Sequence, residues 1–149
     1  MEAADGVEVR LARDQGEVED AQALRARVFS AEPESAAEAE PDGLDAAATH
    51  VVAMLRGNLV GACRLRYPRG RGRVERVAVV DALRRTGIGR RLLAAAEDEA
   101  ARHGAEQMTL HARRSLEPFF AACGYRTEGE PFLEQGTPRV LMSKPLLSA

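Results

Sequence analysis

Cysteine is rare in this sequence, and the way its two copies are placed excludes several chemistries. Cys63 and Cys123 stand alone, with no C-x-x-C pair, so neither a zinc ribbon nor a thioredoxin-like redox centre is encoded. Nothing around them points to secretion, and two reduced thiols are expected. No apolar run approaches the roughly 18 residues that a membrane span needs. The opening Met1-Glu2-Ala3-Ala4-Asp5 is acidic and lacks a basic, apolar leader, so a cytoplasmic protein is expected. Tryptophan is absent and other aromatics are few, a bias with no functional reading. The formal net charge of −2 gives no basic footprint of a nucleic-acid binder, although Arg84, Arg85, Arg90 and Arg91 gather locally. There is no G-x-x-x-x-G-K-[ST] phosphate loop and no G-x-S-x-G nucleophile elbow. His103 and His111 show no metal-ligand spacing with other side chains, so no metal is expected.

What is present fits one domain over residues 1–149. Val7, Val9 and Leu11 alternate with Glu8, Arg10 and Ala12, the period of a half-buried strand. Asp14, three residues before Glu17, signals a helix start, and Val18, Ala21, Leu24 and Val28 carry that helix from about Glu17 to Phe29. From Ala31 to Ala48 periodicity stops. The stretch holds Glu32, Glu34, Glu38, Glu40, Asp42 and Asp45 with no lysine or arginine. Two readings stay open for it: a solvated acidic loop, or a negative rim that draws a cationic substrate.

Thr49–Leu55 and Leu59–Tyr67 then read as strands joined by a two-residue turn at Gly57-Asn58, and Arg73–Val80 follows as a third, making an antiparallel meander. A long helix runs from Gly87 to about His103, ended by Gly104. Met108–Ala112 is the strand after it, which predicts a β-helix-β crossover. A short helix capped by Ser115 and strands at Tyr125–Glu130 and Arg139–Lys144 complete a mixed α/β chain.

The segment Val77–Arg90 carries the chemistry. A strand leads into a glycine-bearing turn that opens a helix, whose first N–H groups lack intrahelical partners and whose dipole is positive there. That combination suits phosphate. Gly87 and Gly89 let a pyrophosphate approach the backbone, and Arg84, Arg85 and Arg90 add charge. The dinucleotide fingerprint G-x-G-x-x-G fails, since its last position is Leu92.

Arg84-x-x-Gly87-x-Gly89 after Val77-Ala78-Val79 resembles the acetyl-CoA motif of the GNAT superfamily of N-acetyltransferases, and Phe119-Phe120-Ala121-Ala122-Cys123-Gly124-Tyr125 looks like its later F-Y-x-x-x-G-F motif. The run Ala23–Phe29, the acidic loop ending at His50, Glu75–Val79 and Phe132–Met142 are similar to the ElaA/YjcF-type branch, so the likeness spans nearly the whole chain. It implies a GNAT-like acyl-CoA N-acyltransferase fold, acetyl-CoA as co-substrate, and transfer to a primary amine by direct attack. The backbone of Val77, Ala78 and Val79 would hold the pantetheine arm and that of Arg85, Thr86, Gly87, Ile88, Gly89 and Arg90 the pyrophosphate, with Arg84, Phe119 and Phe120 beside them. The acetyl carbonyl would lie where two strands splay, facing the Val77 N–H.

Phe120 stands where the superfamily often has a tyrosine acid, and Arg139 where the branch has a histidine. Three residues are candidates for the base: Glu134 from the terminal motif, Glu75, which on simple alternation shares a strand face with Val77 and Val79, and His50 beside the acidic loop. The missing tyrosine keeps a second class open, a degenerate domain that binds acyl-CoA or a protein partner without turnover. The acidic loop points to a cationic amine as acceptor. Oligomeric state, a homodimer included, stays open.

Overall fold

The computed structural model describes residues 6–146; the acidic Met1–Asp5 segment lies outside them. Seven strands form one sheet in the order β1-β2-β3-β4-β5-β7-β6. β1 (Val7–Leu11), β2 (Thr49–Leu55), β3 (Asn58–Arg66) and β4 (Gly72–Val79) are an antiparallel meander, β5 (Gln107–Arg113) runs parallel to β4, and β6 (Arg126–Glu134) and β7 (Thr137–Pro145) close as a hairpin on β5. The mixed α/β fold and the β-helix-β crossover expected from sequence are both present.

Alternation along the strands assigns the two faces. Val51, Ala53, Cys63, Leu65, Val74, Met108 and Leu110 face α2 (Ile88–Arg102), whose Ile88, Leu92, Leu93, Ala96 and Ala100 fill the main core. Val52, Ala62 and Ala78 point to the other face, where Ala21, Leu24 and Phe29 of α1 (Gln15–Ser30) cover them. Asp14 caps α1 by accepting from the Glu17 N–H at 2.9 Å, as its position predicts, while Glu17 reaches back to the Arg13 N–H at 2.7 Å.

Several boundaries differ from the sequence expectation for local reasons. The β2–β3 turn is Arg56-Gly57 (φ 51 and 82), one residue earlier than Gly57-Asn58, because the register pairs Leu55 with Asn58. Both central residues of this tight turn need positive φ, and glycine takes the second place. Ser115 does not cap a helix. It lies inside a 3-10 turn, Arg114–Leu116, that leads into α3 (Glu117–Ala122). The last two strands run on to Glu134 and from Thr137, turning at Gln135-Gly136 (φ 51 and 78). The acidic stretch is two 3-10 pieces, Pro33–Ala39 and Asp45–Ala47, pinned to the end of α1 where Ser35 Oγ donates to the Phe29 carbonyl at 2.8 Å.

Two irregularities open the sheet. β4 and β5 pair only at Gly72–Met108 and Arg73–Thr109 and then part. Further along, Arg76 (φ 54) makes a bulge in β4, so that Arg76 and Val77 together stand opposite Cys63. The bulge moves Glu75 to the α1 face while Val77 and Val79 pack toward the α2 core. The expectation that Glu75 shares a face with the two valines is thereby corrected, since simple alternation fails across an inserted residue.

Candidate active site

Three connected spaces occupy the gap between β4 and β5. The first, about 560 Å³, runs from the end of β4 to the start of α2 and is lined by Val77, Ala78, Val79, Arg84, Arg85, Gly87, Gly89, Arg90, Phe119 and Phe120, with Phe29 and Arg113 beside them. The second, about 300 Å³, lies under the acidic loop and is lined by Glu75, Arg73, His111, Glu134 and Arg139 among others. A neck of about 50 Å³ joins them, bounded by Val77, Leu110, Leu116 and Phe120 and reached by His111 and Arg139.

The first chamber has the local architecture of an anion site. Gly87 is the residue before α2 and takes φ 92, and the Arg91 N–H is the first to close back, onto the Gly87 carbonyl at 3.1 Å. The N–H groups before it at the helix start are therefore open to a ligand. A Cβ on Gly89 would lie 3.4 Å from Phe119 Cζ, so a larger side chain would fill the space beside the aromatic wall. Thr86 Oγ donates to the Leu83 carbonyl and braces the turn. Ile88, with its side chain buried in the core, offers only its backbone to this side. The arginine cluster is divided. Arg84 pairs with Glu32 at 2.9 Å, Arg90 donates to the Ala122 carbonyl at 3.2 Å, and Arg91 is drawn away to the Val7 carbonyl at 2.8 Å.

The second chamber is built from ion pairs. Arg64, 2% exposed, binds Asp42, Asp45 and Glu75 at 2.8, 3.2 and 2.8 Å. Arg66 grips both oxygens of Glu75 at 2.7 and 2.8 Å. Arg76 reaches Asp42 at 3.3 Å, and Arg139 binds Glu38 at 2.9 Å. The Arg64 hydrogen bonds hold Asp42 well below the usual carboxylate range. Burial pushes Glu75 up, but the contacts from Arg66 and Arg64 outweigh it, and its net shift is downward. The acidic loop is exposed along much of its length, as a solvated loop would be, but it is no free negative rim: Glu32, Glu34, Glu38, Asp42 and Asp45 each meet an arginine, and Glu40 accepts from Arg76 through its backbone carbonyl. Those arginines come from α1, β3, β4, β5, β7 and the connection from β4 to α2, all outside the loop.

The three base candidates separate. Glu134, at the end of β6, lies in the second chamber, where its Oε2 is 2.9 Å from His111 Nδ1 and its Oε1 is 3.4 Å from Arg139 Nε. Hydrogen bonding from His111 lowers its pKa, so it stays ionised. Glu75 is in the same chamber, with both oxygens engaged by arginines. His50 is elsewhere. It is buried, with Nδ1 3.3 Å from Arg25 and Nε2 3.0 Å from the Asp45 carbonyl, and burial lowers its pKa. Placing it at the chemistry is corrected, because both ring nitrogens are spent on holding the loop.

The residue that sequence reasoning passed over is His111. Its neighbours Leu110 and Ala112 face the core, so alternation alone puts His111 on the opposite face of β5, beside the splay. Its ring packs edge-on against Phe132, centroids 5.0 Å apart. Glu134 contacts the imidazole at Nδ1, and Nε2 has no hydrogen-bond partner among the described residues.

Residues 14–146 match the family profile described as Acetyltransferase (GNAT) domain. The Bacillus subtilis (strain 168) protein called Uncharacterized N-acetyltransferase YjcF is 35% identical over 135 residues, covering 90% of this chain and 96% of that one. A solved Lactobacillus plantarum structure classed as an N-acetyltransferase superposes with a TM-score of 0.86 at 31% identity, covering 96% of this chain and all of that one. Escherichia coli ElaA shares the fold, with a TM-score of 0.76 at 21% identity over 93% of this chain and 99% of its own.

Proposed function

This chain belongs to the GNAT acetyltransferase family, and we propose that it moves an acetyl group from acetyl-CoA to the amine of a small acceptor, with His111 as general base. The family uses acetyl-CoA. The observation that carries the catalytic reading is the 2.9 Å contact between His111 Nδ1 and Glu134 Oε2, at the mouth of the neck that joins the two chambers.

In this reading the first chamber takes the co-substrate. Backbone N–H groups of Thr86 to Arg90 meet the pyrophosphate, with Arg84, Arg85 and Arg90 around it. The pantetheine arm lies along Val77–Val79 as an extra strand would, because β5 has left that edge of β4 unpaired. Its thioester then reaches the neck at Phe120. The acceptor occupies the second chamber and presents its nitrogen through the neck.

An ammonium must lose a proton before it attacks. His111 Nε2 takes that proton, and ionised Glu134 stabilises the imidazolium through Nδ1–H. The amine nitrogen bonds to the acetyl carbon, and the Val77 N–H at the bulge stabilises the oxyanion that develops. The C–S bond then breaks. The thiolate leaves as the nitrogen gives up its second proton, which passes through water to the sulfur because Phe120 supplies no acid at that point. Glu134, one of the three base candidates from the sequence, acts here by orienting and charging the base rather than by taking the proton.

The test is release of CoA thiol from acetyl-CoA over a panel of amines, with wild type and His111→Gln. Amine-dependent release in wild type and its loss in the variant support the proposal. Acetyl-CoA binding without release on any amine would instead favour a binding module.

A further inference from the structure

In the acceptor chamber four of the five arginines are matched to carboxylates: Arg64, Arg66, Arg76 and Arg139. Arg73 is the exception. Among the described residues it makes neither an ion pair within 4.0 Å nor a side-chain hydrogen bond, and its Nε is buried without a partner. A buried guanidinium nitrogen left unsatisfied costs stability, as any desolvated polar group does.

Its position adds to that cost. Arg73 stands directly opposite Arg66 in the β3–β4 register, and like charges facing each other across strands repel. Glu75 neutralises Arg66 through two hydrogen bonds and leaves Arg73 as the excess charge. Arg73 lies on the same sheet face as His111, beside Thr109 at the last rung before β4 and β5 part. It is close enough to Glu134 for its charge to act on that carboxylate. A local arrangement that opposes stability, at the floor of a substrate chamber, marks a functional position.

We propose that Arg73 is the receptor for an anionic oxygen group on the acceptor, so that the substrate is a small amine that also carries a carboxylate or a phosphate. The inference rests on the acyl-transfer reading above and names its acceptor class. The planar guanidinium fits either group with two parallel hydrogen bonds. The bound anion supplies the charge that the Arg66–Arg73 pair lacks, and the amine end is left to face His111. The volume of about 300 Å³ suits a metabolite-sized molecule rather than a folded protein tail. A polyamine or other purely cationic acceptor meets an unmatched arginine here and no free carboxylate beyond Glu134.

The experiment compares paired acceptors that differ only in the anion: α-amino acids with their decarboxylated amines, and amino alcohols with their phosphate esters. Wild type is expected to favour the anionic member of at least one set by about 10–100-fold in kcat/KM, the worth of a charge-assisted contact. Arg73→Gln should erase that preference by raising KM with little change in kcat, and Arg73→Lys should restore part of it. The set that responds identifies carboxylate or phosphate. Equal rates within both sets in wild type, or a preference that survives in Arg73→Gln, overturns the proposal. If no amine is acetylated, calorimetry on the CoA-loaded protein separates the two ideas. Amino acids or phosphate esters that bind wild type and not Arg73→Gln leave the anion site standing and remove the transfer reading; binding of neither set overturns the anion site as well.

Discussion

The imidazole of His111 and the carboxylate of Glu134 lie 2.9 Å apart, on strands that do not pair with each other, since β7 separates β5 from β6. The turn at Gln135-Gly136 delivers the carboxylate to the imidazole. The proposed proton abstraction would therefore depend on two elements that are remote in the chain.

His111→Gln is expected to lower kcat by about 10²–10⁴-fold, the usual contribution of a positioned base, while acetyl-CoA affinity stays unchanged. Glu134→Gln should fall between that variant and wild type, because the ring keeps its place but loses its counter-charge. Initial rates and calorimetry on the same preparations check both. Unaltered kcat in His111→Gln rejects the base assignment.

Gly89→Glu should abolish measurable acetyl-CoA binding. The new side chain would enter the space beside Phe119 and place a negative charge in the proposed phosphate site. Gly89→Ala is the control: its Cβ would make an ordinary 3.4 Å contact with Phe119, so binding should persist. Calorimetric titration of both variants, with circular dichroism to confirm folding, decides the matter; wild-type affinity in Gly89→Glu would place the phosphates elsewhere.

Asp42→Asn should destabilise the fold by about 1.5–3 kcal/mol at neutral pH, through loss of charged hydrogen bonds to buried Arg64. The folded-state pKa of Asp42 lies below its ordinary value, so its contribution is complete above about pH 4. That contribution disappears as the pH falls through the depressed value. Urea midpoints measured from pH 7 downward should therefore drop less steeply in Asp42→Asn than in wild type. Parallel curves would show that this carboxylate does not govern acid sensitivity.

Phe120→Tyr adds a hydroxyl where related enzymes often have a tyrosine. Phe120 is 7% exposed and packs edge-on against Phe119 and Tyr125, so the ring position is preset. If a CoA thiolate leaves without help, kcat should stay within about threefold of wild type, a difference of well under 1 kcal/mol. A tenfold or larger gain would show that proton delivery to sulfur limits the reaction.

Much of this fold was legible because its signals are local. Strand alternation, the Asp14 cap, the Gly104 helix end and the Val77–Arg90 passage each depend on a few neighbouring residues, and each lies where its pattern predicts. The charges of the acidic loop do not name its partners, which are Arg25, Arg64, Arg76, Arg84, Arg113 and Arg139, brought in only by the tertiary fold. Glu75 lies on the face opposite to the one simple alternation predicts, because one bulge residue reverses the pattern. His111 carried a readable signal, a titratable side chain between two core residues of one strand, that a search for metal spacing does not weigh.

The neck between the chambers has a consequence for the order of events. Its walls include Phe29, Val74, Val77, Leu110, Leu116 and Phe120 and present no thiol or hydroxyl on which an acetyl group could be parked. The two main chambers share no lining residue, so neither substrate has to wait for the other to vacate its place. On the proposed transfer reading, turnover demands simultaneous occupancy, and double-reciprocal rate plots at fixed acceptor concentrations should intersect rather than run parallel.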